Sequence, residues 1–566
     1  MIGKNNDKKS LPIGHSFFDE IIENGIYYVD KTLFVKDIID KDAKVLLCTR
    51  PRRFGKTLNQ TMLKCFFEDT APIGGKDTRS LFRGLKIEAA GERYMERQGK
   101  YPVIFVSLKD ARVGSFDGSY NHLRYCIADE FQRHAYVVEK ISGEDRNLFK
   151  RLSNRTGSID DYRESLRFLC KCLEEYHGNK AVILIDEYDV PLENAWSRGF
   201  YQEMIDFIRP FLSRAFKDNP HLQFSVITGC LRISKESIFT GLNHLEVISI
   251  LKNDYSEYFG FTQNEIDAIL SYYEIDGKAQ VLRDWYNGYL FGDTEVYNPW
   301  SSLNVVSSWV TRIDEYPQPY WANTSGNAII REMIDKMSAE AKADLETLVS
   351  GGTISVVVHE DVTFDEVYKE ADNLWNFLFF TGYLKKVGES VDSRGRKVVE
   401  MGIPNREVEI IFYDKIREWF RDSIAEKNLD AFYNAILSGD AETFQSELLK
   451  LLEDSISFMD SAENFYHGFM VGLLSNSDRY RVKSNRESGH GRSDLVFYSA
   501  NGVDFKAVIF ELKIAPSVKT LPTACEEALK QIEDNNYAAY WDEEGYDEII
   551  KYGIGFYKKR CRVLKG

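Results

Sequence analysis

A short basic segment near the start of the chain has the residue types that bind phosphate. Residues 50–57 read Arg-Pro-Arg-Arg-Phe-Gly-Lys-Thr and lie between an apolar run and a helical pattern. The free N–H groups at a helix start, with a glycine that lets the backbone come close, form an anion site. Lys56 would reach the β- and γ-phosphates, and the Thr57 hydroxyl would ligate Mg²⁺. The usual pattern GxxxxGK[ST] has glycine in place of Arg50, so a chance Gly-Lys-Thr stays open on spacing alone.

A pair of acids favours the nucleotide interpretation. Asp186 and Glu187 follow the very apolar run at 181–185. A nucleotide hydrolase needs an acid there to hold Mg²⁺, and a following glutamate can orient the attacking water. Thr228 and Arg232, after a later apolar run, can sense a γ-phosphate or be structural. We therefore predict an ATP and Mg²⁺ site with Glu187 as a catalytic residue that orients the attacking water and with these binding residues: Arg53, Phe54, Gly55, Lys56, Thr57 and Asp186.

A second set of charged residues lies in a predicted hairpin near the end of the chain. Asp494 begins one strand, Glu511 and Lys513 lie on the other, and Asn501-Gly502 is a two-residue turn signal. With 500 paired to 503, paired numbers sum to 1003. Asp494 then lies opposite Ile509 and diagonal to Glu511. Two carboxylates at that spacing can share Mg²⁺, and the lysine can position or deprotonate a water. A solvated charged face is the alternative.

Residues around this hairpin can support the same chemistry. Glu463 and Glu487 are candidate extra ligands, and Gln531 can support the site, although a surface role is as consistent with the sequence. His467 and His490 are near in sequence, and a lone histidine is more often packed or solvated. Local basic residues would suit a phosphodiester backbone: Lys483, Arg486, Arg492, Lys558, Lys559, Arg560 and Arg562.

The elements that must position these residues follow from the apolar pattern. Four β-branched runs, at 44–49, 103–108, 181–186 and 224–229, are separated by segments long enough for crossover helices. Such alternation predicts an α/β fold with a parallel sheet covered on both faces. Beyond it, a mostly helical region carries aromatic loops that either pack against the sheet domain or stack on bases. The last part reads as a helix at 462–474, the hairpin, a helix at 522–540 and a strand at 552–557.

Composition excludes several classes of protein. The chain has 566 residues, is 43% hydrophobic and carries a net charge of −16. This composition excludes a largely disordered chain and a global nucleic-acid coat, while a local basic groove remains open. The polar start lacks a signal peptide, and no run reaches membrane-spanning length. The eight cysteines show no CxxC spacing, so we expect a reduced, cytoplasmic protein with no membrane segment and no structural zinc.

The motifs together resemble a known bacterial family that joins an AAA-ATPase-like domain to a C-terminal PD-(D/E)xK nuclease-superfamily domain. The resemblance covers nearly the whole chain. The motifs on which it rests include RPRRFGKT, LIDEYD, ITGCLRIS, WYNGYLFG, YNPWS, WANTSGN, IPNREV, GRSDLVF and FELK. The family tolerates arginine at position 50. The resemblance implies a P-loop ATPase-like α/β domain and a restriction-endonuclease-like α/β module. It matches Asp494, Glu511 and Lys513 to the nuclease motif, and Lys56, Thr57 and Asp186 to the nucleotide site.

Two functional interpretations follow. In the first, the protein is an ATPase and a Mg²⁺-dependent nuclease that cleaves DNA under ATP control. In the second, it is an NTP-controlled switch or scaffold whose nuclease-like module binds nucleic acid or protein without cleaving. We expect an ATPase-like domain over 1–250, a mostly helical connecting region over 251–430 and a nuclease-like domain over 431–566. A homo-oligomer is possible.

Overall fold

The computed structural model describes most of the chain, and the described residues form two compact units. The first unit comprises Met1–Thr324 and Ser355–Glu409, and the second comprises Ser325–Ile354 and Ile410–Gly566. The domain boundaries at 250 and 430 stay a prediction. The described residues are 8–232, 244–323, 328–349, 351–360, 367, 370–425, 428–453, 463–475, 477, 479–484, 494–499 and 505–566.

A five-stranded, all-parallel sheet organises the first unit. Its order is β2-β3-β4-β1-β5, so the strand before the basic loop and the strand before the acid pair flank one common neighbour. The four apolar runs are strands, which confirms that prediction, and a fifth edge strand was not foreseen. The strands are β1 (Val45–Thr49), β2 (Val103–Ser107), β3 (Ala181–Asp186), β4 (Leu222–Gly229) and β5 (Leu245–Ile248).

Helices cover this sheet. The longest of them, at 159–177, begins with a capping box between Ser158 and Asp161 and ends at Gly178 with φ +73°. The capping box marks the start of the helix and the glycine marks its end, and both satisfy backbone groups that have no hydrogen-bond partner within the helix. The helices are α1 (Phe18–Glu23), α2 (Leu33–Lys41), α3 (Lys56–Phe67), α4 (Lys86–Ala89), α5 (Glu92–Met95), α6 (Phe116–Arg133), α7 (Gly143–Ser153), α8 (Ile159–His177), α9 (Val190–Arg198) and α10 (Tyr201–Phe216).

The middle of the sequence mixes helices with short strands. Its aromatic loops are largely buried, as the packing interpretation predicts: Trp285, Tyr286, Tyr289 and Tyr297 are each less than 5% exposed. The elements are α11 (Gln263–Tyr272), α12 (Ala279–Tyr286), β6 (Tyr289–Phe291), β7 (Thr294–Val296), α13 (Pro299–Thr311), α14 (Ala328–Lys336), α15 (Ala339–Val349), β8 (Ile354–Val357), α16 (Ala371–Thr381), β9 (Lys385–Val391), β10 (Lys397–Gly402) and α17 (Arg406–Ala425).

The second unit contains a mixed five-stranded sheet in the order β11-β12-β13-β14-β15. Strands β13 and β14 are parallel, and the other neighbouring strands are antiparallel. Its elements are α18 (Asp430–Ser438), α19 (Ala441–Glu453), α20 (Glu463–Leu474), β11 (Tyr480–Ser484), β12 (Leu495–Ser499), β13 (Lys506–Ile514), α21 (Leu521–Asp534), α22 (Ala538–Glu543), β14 (Glu548–Tyr557) and β15 (Arg560–Lys565). From α20 to β14 the order is therefore αβββαβ, with α22 as an addition before β14.

Both faces of this sheet carry a core. On one face, Val496 and Ile509 pack against Ile532 and Trp541 from the helices after β13. On the other face, the rings of Phe510 and Tyr552 stack 5.7 Å apart and contact Phe444 of α19. Central strand β13 is consequently buried along most of its length.

The predicted ends of the late elements need correction. The helix expected at 522–540 is two helices, α21 and α22, because the Asn535-Asn536 pair interrupts it and Asn536 has φ +48°. Asparagine tolerates this left-handed conformation better than most residues do. The predicted last strand is longer, and a further strand, β15, follows it.

A buried glutamate lies among the aromatic loops of the first unit. One Glu407 oxygen accepts hydrogen bonds from the Ser301 hydroxyl (2.9 Å) and the Trp321 amide (2.8 Å), whereas the other oxygen is buried without a hydrogen-bond partner. Burial raises the pKa of Glu407 to about 7, and the hydrogen bonds only partly oppose it. The folded protein thus disfavours the ionised form of this side chain.

Glu407→Gln should therefore change the pH dependence of stability. Because the folded-state pKa lies above the ordinary value, wild-type stability is lost as pH rises from about 4.5 to about 7. Relative to the glutamine variant, wild type should lose on the order of 3 kcal/mol between about pH 5 and about pH 8. Urea unfolding at the two pH values measures the difference.

The matched control is Glu409→Gln, which removes an exposed carboxylate from the same first turn of α17. It should behave like wild type at both pH values. A pH-independent difference between wild type and Glu407→Gln would contradict the assignment of a buried, uncompensated carboxyl.

Candidate nucleotide and nuclease sites

The basic loop between β1 and α3 has the backbone conformation of an anion cradle. Gly55 immediately precedes α3 and has φ +83°, and Arg53 has φ +69°. These left-handed conformations turn the chain tightly before the helix, whose first N–H groups are free to bind an anion. Binding of a phosphate by Arg53, Phe54 and Gly55 stays a prediction.

Lys56 and Thr57 lie at the start of α3. The Lys56 ammonium donates to the carbonyl oxygens of Arg50 and Pro51, both at 3.0 Å, and lies 3.5 Å from the Cys230 sulfur. Burial acts to lower the pKa of Lys56, but Cys230 and the nearby acids, including Glu187, raise it overall. The charged ammonium is thus held inside the loop. The Thr57 hydroxyl donates to Asp186 Oδ2 at 2.7 Å.

Arg50 accounts for the departure from the usual glycine pattern. Its side chain is fully buried, and its Nη1 donates to the carbonyl oxygens of Thr49 and Ile248, both at 2.9 Å. The guanidinium also lies 5.1 Å from the ring centroids of Phe259 and Phe291. Burial lowers the pKa of Arg50 to about 10. Arg50 therefore ties β1 to neighbouring chain segments, and its side chain is directed into the protein rather than toward a bound phosphate.

The other loop side chains have different surroundings. Arg52 forms an ion pair with Glu193 of α9. Arg53 is exposed, and its guanidinium lies 4.5 Å from the ring of Trp300. Phe54 is buried, with its ring 4.9 Å from Tyr289 and 5.2 Å from Phe291. Aromatic residues of the middle sequence therefore pack against the loop through Phe54.

The acids after β3 form the opposite side of the site. Asp186 is fully buried and accepts hydrogen bonds from the hydroxyls of Thr57 and Thr228, the latter at 2.6 Å. Burial and the charge of Glu187 raise the pKa of Asp186, while the two hydroxyls oppose the rise. Glu187 is half-buried with φ +54°. Of the two candidate γ-phosphate sensors, Thr228 therefore donates its hydroxyl hydrogen to Asp186. The other candidate, Arg232, lies 3.8 Å from Glu360.

Sequence reasoning missed Asp189, which is buried in the same site. Its Oδ2 accepts the N–H groups of Cys230 (2.7 Å) and Leu231 (3.0 Å), and its Oδ1 is buried without a hydrogen-bond partner. Burial raises the pKa of Asp189 to about 6, although the Lys56 charge opposes this. The signal was present in the motif Leu-Ile-Asp-Glu-Tyr-Asp, whose last acid directly precedes α9.

In the second unit, the predicted hairpin pairing was wrong by two residues. Leu495 pairs with Phe510 and Phe497 with Val508, so paired numbers sum to 1005 rather than 1003. Continuing this register brings Asp494 level with Glu511 instead of diagonal to it. A shift of two keeps the same face because side chains alternate with a period of two. The apolar pairs of the buried faces set the register, and the Asn501-Gly502 turn lies outside the described residues.

The two carboxylates meet at the end of β13. The Asp494 N–H donates to Glu511 Oε2 at 3.2 Å, and the Leu512 N–H donates to Asp494 Oδ2 at 2.9 Å. Glu511 is 1% exposed, and the Lys513 ammonium lies 3.6 Å from its Oε1. Burial, followed by the charge of Asp494, raises the pKa of Glu511 to about 7. A buried carboxyl close to a half-buried one, without enough positive charge, is a donor set that a divalent cation suits.

The remaining candidates around this pair have mixed outcomes. A ring nitrogen of His467, on α20, lies 3.2 Å from the Asp494 carbonyl oxygen. Glu463 begins α20, and Gln531 lies on α21, but their roles stay predictions. Glu487 and His490 lie outside the described residues. Among the described residues, no three His, Cys, Asp or Glu side chains are grouped to hold a metal. Magnesium commonly uses one or two carboxylates plus substrate phosphates, so the pair fits.

The fold and the two sites define a P-loop α/β domain and an αβββαβ domain with an acidic centre. A family model described as a predicted AAA-ATPase matches residues 12–239, and a PD-(D/E)XK nuclease superfamily model matches residues 461–566. The chain therefore carries a predicted AAA-ATPase domain followed by a domain of the PD-(D/E)XK nuclease superfamily. It is also 25% identical to an uncharacterized protein in the vnfD 5′ region of Azotobacter chroococcum, over 98% of each chain. Within the described ranges, no helix has the length and apolarity needed to cross a bilayer.

The two arginines of the loop should respond differently to glycine. Arg50→Gly removes buried hydrogen bonds and aromatic contacts, so we expect a loss of about 3 kcal/mol or more in the free energy of unfolding. Arg53→Gly removes the same charge from an exposed position with positive φ, where glycine is favoured, and should change stability by about 1 kcal/mol or less. Urea unfolding of both variants measures this. Equal stabilities would contradict the structural role of Arg50.

Proposed function

We propose that this protein binds and hydrolyses ATP at the loop of residues 50–57 and cleaves DNA phosphodiesters at Asp494, Glu511 and Lys513 under ATP control. The observation that carries the proposal is the direct meeting of Asp494 with the buried Glu511, with Lys513 beside them. A module that only binds nucleic acid has no need for a buried glutamate on its central strand beside a second, half-buried carboxyl that repels it.

At the nucleotide site, the chain supplies a cradle, a cation and a pair of acids. The N–H groups at the start of α3 would bind phosphate oxygens, and Lys56 would exchange the carbonyls of Arg50 and Pro51 for the β- and γ-phosphates. Thr57 and Asp186 would hold Mg²⁺, which neutralises phosphate charge when bound. Glu187, next to Asp186, would orient the attacking water.

At the nuclease site, the chain supplies two oxygen ligands and a lysine. Asp494 and Glu511 would hold Mg²⁺, which when bound polarises the phosphodiester and lowers the pKa of a water. The hydrogen bonds from the amides of Leu512 and Asp494 fix the two carboxylates in place. Lys513 would position or deprotonate the attacking water and balance charge on the phosphate.

Charged residues near the acidic centre support DNA as the substrate. Lys558 is exposed at the turn between β14 and β15, and Arg560 and Arg562 are exposed on β15. The Tyr466 hydroxyl on α20 donates to the Lys558 carbonyl at 3.0 Å, and the next residue, His467, contacts Asp494. Helix α20 thus contacts both the basic turn and the backbone of Asp494. Exposed positive charge on this turn and on β15 can bind the phosphate backbone.

ATP control is supported by the packing beneath the loop. Phe54 contacts Tyr289, and a Cβ on Gly382 would lie only 2.8 Å from the Pro51 Cβ, so the backbone there touches the loop directly. A change in the conformation of the loop on binding a γ-phosphate would therefore move the residues of the middle sequence that contact it, as in other nucleotide switches.

Lys56→Ala should abolish measurable ATP binding, because the ammonium is the main cation inside the loop. The matched control is Lys64→Ala on the same helix, where the lysine lies 3.8 Å from Glu68 and is partly exposed. It should bind ATP as wild type does. Equilibrium binding of a fluorescent ATP analogue with Mg²⁺ measures both. Unchanged binding by Lys56→Ala would contradict the assignment of this loop.

Glu511→Gln should reduce Mg²⁺- or Mn²⁺-dependent cleavage of DNA by about 100-fold or more, because a metal ligand is lost. Single- and double-stranded DNA are tested with and without ATP. The control is Glu548→Gln on neighbouring β14, where the glutamate is half exposed and pairs with Lys506 at 2.8 Å. It should cleave normally.

Lys56→Ala in the same assay separates the two functions. If ATP controls cleavage, this variant should cleave at one rate whether ATP is present or absent. Wild type that binds ATP yet cleaves neither substrate would contradict the nuclease and favour the NTP-controlled switch or scaffold.

A further inference from the structure

The ion pair between Arg52 and Glu193 lies at the nucleotide site and has no role in the machinery described above. Arg52 Nη2 donates to both oxygens of Glu193, and each side chain is only about one-quarter exposed. Arg52 belongs to the loop itself. Glu193 lies on α9, the helix that begins directly after the acids at 186–189. The pair therefore connects the two sides of the site.

The charges of Arg52 and Lys56 act on the same thiol, that of Cys230. The Lys56 ammonium is 3.5 Å from the Cys230 sulfur. Burial is the largest single influence and acts to lower the pKa of Arg52, but the charge and hydrogen bond of Glu193, together with Cys230, raise that pKa overall. Two cations thus converge near the end of β4. Lys56 would reach the β- and γ-phosphates, so a second cation of the same loop that acts on the same thiol is placed for the end of the phosphate chain.

We propose that Arg52 binds the terminal phosphate of a nucleoside triphosphate, and that Glu193 competes with this phosphate for the guanidinium. Arg52 then selects triphosphate over diphosphate, and Glu193 sets the strength of that selection. The inference rests on the proposed binding of nucleotide at the loop. Arginine suits the role because its planar donors match both carboxylate and phosphate.

The exchange leaves no carboxylate without a cation. Arg112 lies 3.8 Å from Glu193 Oε2, so Glu193 keeps a positive neighbour when Arg52 turns to a phosphate. A diphosphate ends one phosphate short of this position and leaves the ion pair intact. The Arg52–Glu193 contact would therefore be present with diphosphate bound and exchanged with triphosphate bound, which gives α9 two arrangements.

Binding of two nucleotides to two variants tests the proposal. Fluorescent analogues of ATPγS and ADP are titrated with Mg²⁺ into the full chain. Glu193→Gln removes the competing charge and keeps the shape, so it should tighten ATPγS binding about threefold to tenfold and leave ADP unchanged. Arg52→Ala should weaken ATPγS binding about tenfold or more, also with ADP unchanged. Arg52→Lys should recover part of that loss.

The control is Glu164→Gln, which removes the acid of another arginine–glutamate pair, with Arg214, between α8 and α10. It should bind both nucleotides as wild type does. A variant that merely loosens the loop would change ATPγS and ADP alike, and that result would overturn the proposal. Unchanged ATPγS binding by the conservative Glu193→Gln would overturn it as well. If wild type binds neither nucleotide, the proposed function itself fails.

Discussion

The candidate site of the first unit depends on the hydrogen bonds of the buried Asp186 carboxylate. A carboxylate removed from water must be matched by hydrogen bonds or charge. Thr57 supplies one hydrogen bond from α3 and Thr228 supplies another from β4, so a single side chain joins the loop helix to two adjacent strands. Parallel strands of such a sheet end at one edge, which is why these residues meet. The same contacts place a carboxylate and a hydroxyl where Mg²⁺ would need them.

Charge compensation also explains the unusual loop. Its arginines have three separate environments: Arg50 is buried under backbone carbonyls, Arg52 is paired with Glu193, and Arg53 lies over Trp300. The loop is therefore less basic toward a ligand than its sequence suggests. Lys56 remains beside the cradle, already held by carbonyl oxygens that a phosphate would replace. The aromatic loops of the middle sequence belong to this arrangement because they support Phe54.

The second unit also buries a carboxyl at its candidate site, but there the neighbouring positive charge does not fully compensate it. Glu511 is almost completely buried beside Asp494, and the nearest ammonium, Lys513, is 3.6 Å away and partly exposed. The compensation is incomplete, so the pKa of Glu511 is raised to about 7. A buried carboxyl left under-compensated destabilises the fold, and such groups cluster at functional sites. The structural core tolerates it because both faces of β13 are otherwise covered by apolar side chains.

The sequence alone predicted the apolar runs at 44–49, 103–108, 181–186 and 224–229, which are strands in the structure. It also supplied as candidates, whose roles stay predictions, the residues Lys56, Thr57, Asp186, Asp494, Glu511 and Lys513. Apolar runs and local motifs encode these features, because burial and turn chemistry act over a few neighbouring residues. Only the tertiary structure decided the direction of Arg50, the pairing of Asp494 with Glu511, the burial of Asp189 and the partner of Arg52. Each depends on atoms far away in sequence: Ile248 for Arg50, the opposite strand for Asp494, Leu231 for Asp189 and Glu193 for Arg52. A buried charge takes whichever partner the fold brings near, and local sequence carries no record of that choice.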